Sequence, residues 1–280
     1  MAGVRIVTDS ACDLPEDLVR AHRIEIVPLA IRFGDEELVD REQLSVQEFY
    51  DRMATSPTLP STAAPAPGRF AEAFHKAAAD GADAVVCINL SAALSATMQS
   101  AENAARELQG DLDVRVLDSK SITMGLGSLV VSAAEAAEAG ASADEVVARV
   151  EAERARTHVV GALDTLENLK KGGRIGNAQA LLGGMLSIKP LVDLSTGEVK
   201  EAGKQRTRGK ALRWLRDRLF EQSAVERLAV VHGFAPDLDE FLDLIAERHP
   251  RDQITVTPIG PVIGTHGGPR IIGLTWQDPA

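Results

Sequence analysis

Four groups of residues in this chain have the types and spacing to do chemistry. The first is the run from Ala84 to Ala101, in which an apolar segment (Ala84–Leu90) leads into Ser91, Ser95 and Thr97 set among alanines. A buried strand that turns into a helix start leaves free backbone N–H groups and the positive end of a helix dipole, an arrangement that favours an anion. Ala92, Ala93 and Ala96 would let a ligand come close to the backbone. Serine also caps helices with no ligand involved, so both readings stand at this point. The second group is the stretch from Thr55 to Gly68, with four prolines and the hydroxyls of Ser61 and Thr62. It reads as a low-complexity linker or as an ordered loop over a site. The third is Arg174, flanked by Gly172, Gly173 and Gly176, which would let backbone fold closely around whatever the arginine binds. The fourth is Gly260–Pro269, where Thr265 and His266 offer a hydroxyl and an imidazole within a glycine-rich loop.

Charge is unevenly spread. Between Lys170 and Arg216 there are eleven Lys/Arg against Asp193, Glu198 and Glu201, a surplus of eight in a chain whose formal charge is −11. That asymmetry suggests an anionic ligand or partner for this part of the chain, or a solvated basic helix face, the simpler account of Arg213 and Arg216. The overall acidity argues against general nucleic-acid or anionic-membrane binding. Cys12 and Cys87 have no metal-like spacing and suit a reducing compartment. The N-terminus passes straight into a strand, and no apolar run approaches the ~20 residues of a membrane helix, so a cytoplasmic protein without a leader is expected. There is no phosphate-loop, nucleophile-elbow or zincin motif, and the acidic residues show no metal-like clustering.

The elements that must hold these groups alternate in the first half of the chain. Strands are expected at Val4–Val7, Ile24–Phe33, Ala84–Leu90 and Val114–Leu117. Helices are expected at Pro15–His22, after the Ser45/Glu48 capping box, at Gly68–Ala79, Met98–Gln109 and Ser121–Ala139, and after the Ser142/Glu145 capping box. This pattern implies a mostly parallel sheet with helices on both faces. Hydroxyls at the strand ends (Thr8/Ser10, Ser91/Ser95, Ser119) could then converge on a ligand, or could simply cap helices. From Thr157 onward the pattern changes. Strands at Thr157–Ala162, Leu186–Leu194, Glu198–Gly203, Leu228–His232, Ile254–Thr257 and Ile271–Trp276 mix with helices at Thr207–Gln222 and Pro236–Arg248. The fold class expected is therefore α/β in two domains, residues 1–156 and 157–280, the second with a mixed or antiparallel sheet.

The residues also resemble the DegV family, bacterial fatty-acid-binding proteins that serve as acyl-carrier subunits of fatty-acid kinase. The resemblance covers nearly the whole chain and rests on Thr8-Asp9-Ser10, Leu59-Pro-Ser-Thr62, Leu94–Ala101 and Val116–Ser119. It continues through Leu169–Gly176, Ile188-Lys-Pro190 and Ile259–His266. It implies that one long-chain fatty acid lies in an apolar tunnel between the domains. Thr62 and Ser95 would hydrogen-bond the carboxylate, with Thr97 in the same turn, and His266 and Arg174 near the head group. Arg174 and Arg206 would dock an ATP-dependent kinase that makes acyl phosphate for phospholipid synthesis. No cofactor beyond the bound fatty acid, no metal, no nucleic acid and no membrane insertion is implied. The chain departs from the family pattern at Ser95-Ala96-Thr97 (usually Ser-Gly-Thr), at Ala63-Ala64-Pro65 (commonly Ser-Gln-Pro) and at Arg270, a charge near the expected mouth. Two rival functions are a hydrolase or transferase using Ser95 with His266, and a regulatory protein whose basic segment docks a partner regardless of lipid.

Overall fold

The apolar run after Asp83 is buried on both sides. In the computed structural model, which describes residues 3–183 and 188–280, Val85 and Cys87 pack into one cluster and Val86 and Ile88 into another. This alternation across a sheet covered on both faces is why the sequence reads as unbroken apolar rather than amphipathic. The chain order is β1 (Gly3–Asp9), α1 (Glu16–Ala21), β2 (Glu25–Val27), β3 (Ala30–Phe33), β4 (Glu36–Val39), α2 (Val46–Thr55) and β5 (Ser61–Ala63). There follow α3 (Pro67–Ala79), β6 (Ala82–Asn89), α4 (Thr97–Glu107), β7 (Asp113–Asp118), α5 (Thr123–Glu138) and α6 (Ala143–Arg154). The rest comprises β8 (Thr157–Ala162), α7 (Glu167–Lys171), β9 (Lys189–Asp193), β10 (Lys200–Gln205), α8 (Arg208–Phe220) and β11 (Glu226–His232). After these come α9 (Leu238–Ile245), β12 (Thr255–Pro258), α10 (Pro261–Gly267) and β13 (Ile272–Gln277).

Strands β2-β1-β6-β7 form a four-stranded, all-parallel sheet. Helices α3 and α4 cover one face through Phe70, Phe74, Ala101 and Ala104, and α5 and α6 the other through Leu126, Val130, Val146 and Val150. Strands β10-β9-β8-β13-β11-β12 form a six-stranded mixed sheet in which only β11 and β12 run parallel. Its outer face, with Val160, Leu191, Leu274 and Trp276, packs on α8 and α9. Its inner face, with Val159, Val192, Ala229 and Val231, joins the cluster around α5. Helix α5 therefore lies between the two sheets. It needs small residues to fit there: a side chain on Gly127 would reach within 2.7 Å of the Cys12 carbonyl oxygen, and one on Gly125 within 2.5 Å of Val159 Cγ2.

Several sequence expectations are corrected. The strand expected over Ile24–Phe33 is two strands in different sheets, β2 in the parallel sheet and β3 in a small antiparallel sheet of order β4-β3-β5. Pro28 offers no N–H to a ladder, and the Leu29 N–H donates to Ser10 Oγ (3.1 Å) instead of to a strand. The Pro-rich stretch is no linker, because Thr62 sits in β5, paired with Ile31. Both capping boxes form as expected, at Ser45/Glu48 and Ser142/Glu145. The loop expected around His266 is the short helix α10, with Pro261 in its first turn, a position where the missing N–H costs nothing. The strand expected at Leu186–Leu194 begins at Lys189; its first two residues lie outside the described ones.

Candidate functional site

Between the inner face of the six-stranded sheet and the carboxyl ends of the parallel strands lies a cavity lined from both halves of the chain. Its wall is almost wholly aliphatic, with Leu29, Leu90 and Ile122 from the first half of the chain facing Leu163, Val192 and Ile271 from the second. Among the described residues, the polar groups that reach it are few: Thr62, Ser95, Arg174 and His266.

Each of the four is placed by a different element. Thr62 is held by the β3–β5 ladder, and its Oγ1 lies 3.1 Å from His266 Nε2. His266 sits at the end of α10, where Asn168 Nδ2 donates to the neighbouring Thr265 carbonyl (3.1 Å). Burial, with the Arg174 guanidinium beside it, pushes the imidazole down to about 4, so it is neutral across the physiological range. Its Nδ1 is buried, faces Gly172 and has no hydrogen-bond partner among the described residues. Ser95 stands in the turn between β6 and α4, which is fixed by the Leu94 and Ser95 N–H groups donating to the Ser91 carbonyl (3.0 and 3.2 Å). Arg174 is exposed at the rim. Its Nε donates to the Leu94 carbonyl (3.1 Å) and its Nη1 to the Gly172 carbonyl (2.8 Å), so it ties a turn of the first half to a turn of the second.

Other expected residues lie elsewhere. Thr97 is buried behind Ser95 rather than on the cavity wall, and Arg206 is exposed and away from it. The hydroxyls expected to converge at the strand ends do not. Thr8 Oγ1 donates to the Ile88 carbonyl (2.7 Å), Ser10 Oγ accepts from Leu29, Ser119 Oγ donates to the Ser121 carbonyl (3.3 Å) and Ser91 Oγ donates to the Gly197 carbonyl (2.6 Å). Backbone atoms claim all four, and of the strand-end hydroxyls only Ser95 reaches the cavity. Arg270 turns to Asp164, with Nε 3.4 Å from Oδ2, and is not among the lining residues. Part of the basic surplus is neutralised by acids outside that segment, as in Lys189–Asp164 and Arg208–Asp237, both at 2.8 Å.

Two contributors escaped sequence reasoning. Asn168 is buried on α7 and steadies α10 through the Thr265 carbonyl. Asp13, after β1, accepts the Gly260 N–H (2.9 Å) at the start of α10, while its carbonyl accepts from Thr257 Oγ1 (3.1 Å). An Asp thirteen residues in carries no local signal that it will meet residues 257 to 260. Among the described residues, no group of three or more His, Cys, Asp or Glu could hold a metal ion, both cysteines are free and buried, and no helix is long and apolar enough to cross a membrane.

An aliphatic cavity with two hydroxyls, a neutral imidazole and a guanidinium at one end suits a ligand with a long apolar body and a small anionic head. The family model for DegV proteins matches residues 3–278. The chain belongs to the DegV family. A DegV domain-containing protein of Streptomyces coelicolor is 38% identical over 97% of this chain and 97% of its own length. Among solved structures, a DegV family protein from Thermus thermophilus, described as fatty-acid-binding, is 32% identical. It superposes with a TM-score of 0.90 over 99% of this chain and 100% of its own. A stearic-acid-binding protein from Eubacterium ventriosum is 28% identical, with a TM-score of 0.88 over 99% of this chain and 98% of its own. The two-domain α/β architecture of this chain is thus the DegV fold.

Proposed function

We propose that this DegV protein binds one long-chain fatty acid in the cavity between units 1–156 and 157–280. Thr62 and Ser95 hydrogen-bond its carboxylate, and His266 and Arg174 close over the head group. The observation that carries this reading is the segregation of the wall: among the described residues, an aliphatic body with four polar side chains, none of them acidic. Each buried methylene contributes ~0.8 kcal/mol, so a long chain binds tightly even though the head makes few bonds. The DegV proteins of known structure described as fatty-acid-binding support the ligand class. We further propose that the carrier works in the cytoplasm and presents the carboxylate to a separate ATP-dependent kinase for acyl-phosphate formation, with Arg174 and Arg206 as docking residues. Both are exposed, and Arg174 stands at the rim where a partner would meet the head group.

Mass spectrometry of an organic extract from the denatured, purified protein tests the ligand. About one fatty acid per chain is expected. A Thr62→Ala, Ser95→Ala double variant should fold normally yet purify largely empty, since each bond to a charged group is worth ~1.5–3 kcal/mol. A wild-type protein that is empty and takes up no added fatty acid would sink the reading. A fully loaded double variant would move the head group elsewhere.

A further inference from the structure

The two hydroxyls at the head of the cavity each rest against one further polar side chain. Ser95 Oγ is 2.8 Å from Thr97 Oγ1 and also accepts the Thr97 N–H (3.3 Å). Thr97 is fully buried at the start of α4, and among the described residues Ser95 is the only hydrogen-bond partner of its hydroxyl. A hydroxyl has one proton to give. Were Ser95 the donor to Thr97, the Thr97 proton would be buried with no acceptor, the costly kind of orphan. With Thr97 as donor both of its needs are met, and the Ser95 proton is left for the cavity, which half-buried Ser95 lines.

The same reasoning fixes the other pair. His266 Nδ1 is buried against Gly172 and has no partner among the described residues. A proton there would be an orphaned donor, whereas a bare lone pair is the smaller penalty. The neutral ring therefore carries its proton on Nε2 and donates it to Thr62 Oγ1, 3.1 Å away. Thr62 is then left with its own proton free.

We propose that Thr97 is a positioning residue which, with His266, sets Ser95 and Thr62 as a matched pair of donors, so that the cavity selects a head group offering only acceptor oxygens. An ionised carboxylate meets both donors. An undissociated acid or a fatty alcohol can accept from both but brings a proton of its own, which finds no matching acceptor where both hydroxyls donate. This rests on the fatty-acid reading above and adds the basis of head-group selection.

The experiment compares palmitate with hexadecanol, a pair that shares its chain and differs at the head, in wild type, Thr97→Val and Thr97→Ser. Thr97→Val keeps the shape and removes the hydroxyl. It should weaken palmitate binding about tenfold or more while changing hexadecanol affinity less than about threefold, and Thr97→Ser should restore palmitate binding. Equal weakening of both ligands would show that Thr97 only packs, and unchanged palmitate affinity would show that it does not orient Ser95. Either overturns the proposal. Nitrogen NMR of the wild-type His266 ring should show a neutral Nε2–H tautomer, and an Nδ1–H tautomer would remove the Thr62 half. If wild type takes up neither ligand, it is the fatty-acid reading itself that fails.

Discussion

Gly172 has no Cβ, and His266 occupies the space where one would be. A methyl group there would collide with the imidazole Nδ1 and crowd the Asn168 carbonyl at 3.0 Å. Gly172 is therefore fixed by packing against His266, not by an unusual backbone angle: its φ is −75°. Gly172→Ala should push the ring away from Thr62, destabilise the fold by ~1–3 kcal/mol and weaken fatty-acid retention. Thermal melting and ligand uptake measured together check this, and a variant that melts and binds like wild type would show that the ring yields freely. The sequence singled out the glycines around Arg174 as a place of close approach, but assigned the approach to Arg174's ligand. What approaches is His266, nearly a hundred residues away in the chain. Hydroxyl, imidazole and guanidinium were legible as types. Their partners were not, because a side chain such as Thr97 or Asn168 looks the same in sequence whether it faces a ligand or backs another residue.

Between the two sheets, α5 illustrates what an element's composition can and cannot disclose. Its run of small and aliphatic residues identifies a helix, and burial on nearly every side explains why it shows little amphipathic stripe. Nothing in it indicates that one side meets the parallel sheet while the other meets β8, β11 and β13 of the mixed sheet. Gly127 marks the tightest backbone approach along this helix. Gly127→Ala puts a methyl group 2.7 Å from the Cys12 carbonyl oxygen, an atom that cannot swing aside as a flexible side chain would. The expected cost is ~1–3 kcal/mol in urea unfolding, whereas Gly110→Ala, with open space around its Cβ, should cost only the strain of its left-handed φ. Equal losses for the two variants would mean that the contact with Cys12 is relieved by a helix shift. The strands were the more legible elements where both faces are buried, as in β6. They were least legible where a proline and one side-chain bond redirect the chain, as at Pro28 and Leu29. For the same reason β4 was missed: its sequence, Glu-Glu-Leu-Val, is a half-exposed edge strand with no continuous apolar signal.

At the scale of the whole molecule, three carboxylates near the junction of the two halves are deeply buried. Burial raises Asp9 and Asp40 to about 6 and Asp13 to about 7. Asp13 is the member that spans the halves, through Gly260 and Thr257. Desolvation outweighs the Gly260 hydrogen bond and the Arg41 charge, which favour its charged form, and Asp40 opposes that form as well. Tyr50 also feels the Asp13 charge, and burial together with that charge holds its phenol far above the usual range. Because the folded state keeps these protons up to about pH 6–7 and the unfolded chain releases them near pH 4, the folded state binds more protons across that window. Stability must then fall as pH rises from about 4 to about 7, and stay lower above it. His266 acts in the opposite sense. Its value of about 4 lies below that of the unfolded chain, so its share of stability is full above about pH 6.5 and declines as pH falls toward 4. Three raised carboxylates outweigh one depressed imidazole, and the melting temperature should be higher at pH 5 than at pH 8. Asp13→Asn separates the contributions. An asparagine keeps a carbonyl-type oxygen for the Gly260 N–H but has no charge to desolvate, so it should leave stability at pH 5 nearly unchanged. At pH 8 it should raise stability by an amount on the order of a few kcal/mol. Melting curves at both pH values decide the matter. A variant less stable than wild type at pH 8 would mean that Asp13 works as a charged clasp on α10, and the two halves would then be held together more firmly in the ionised state than in the neutral one.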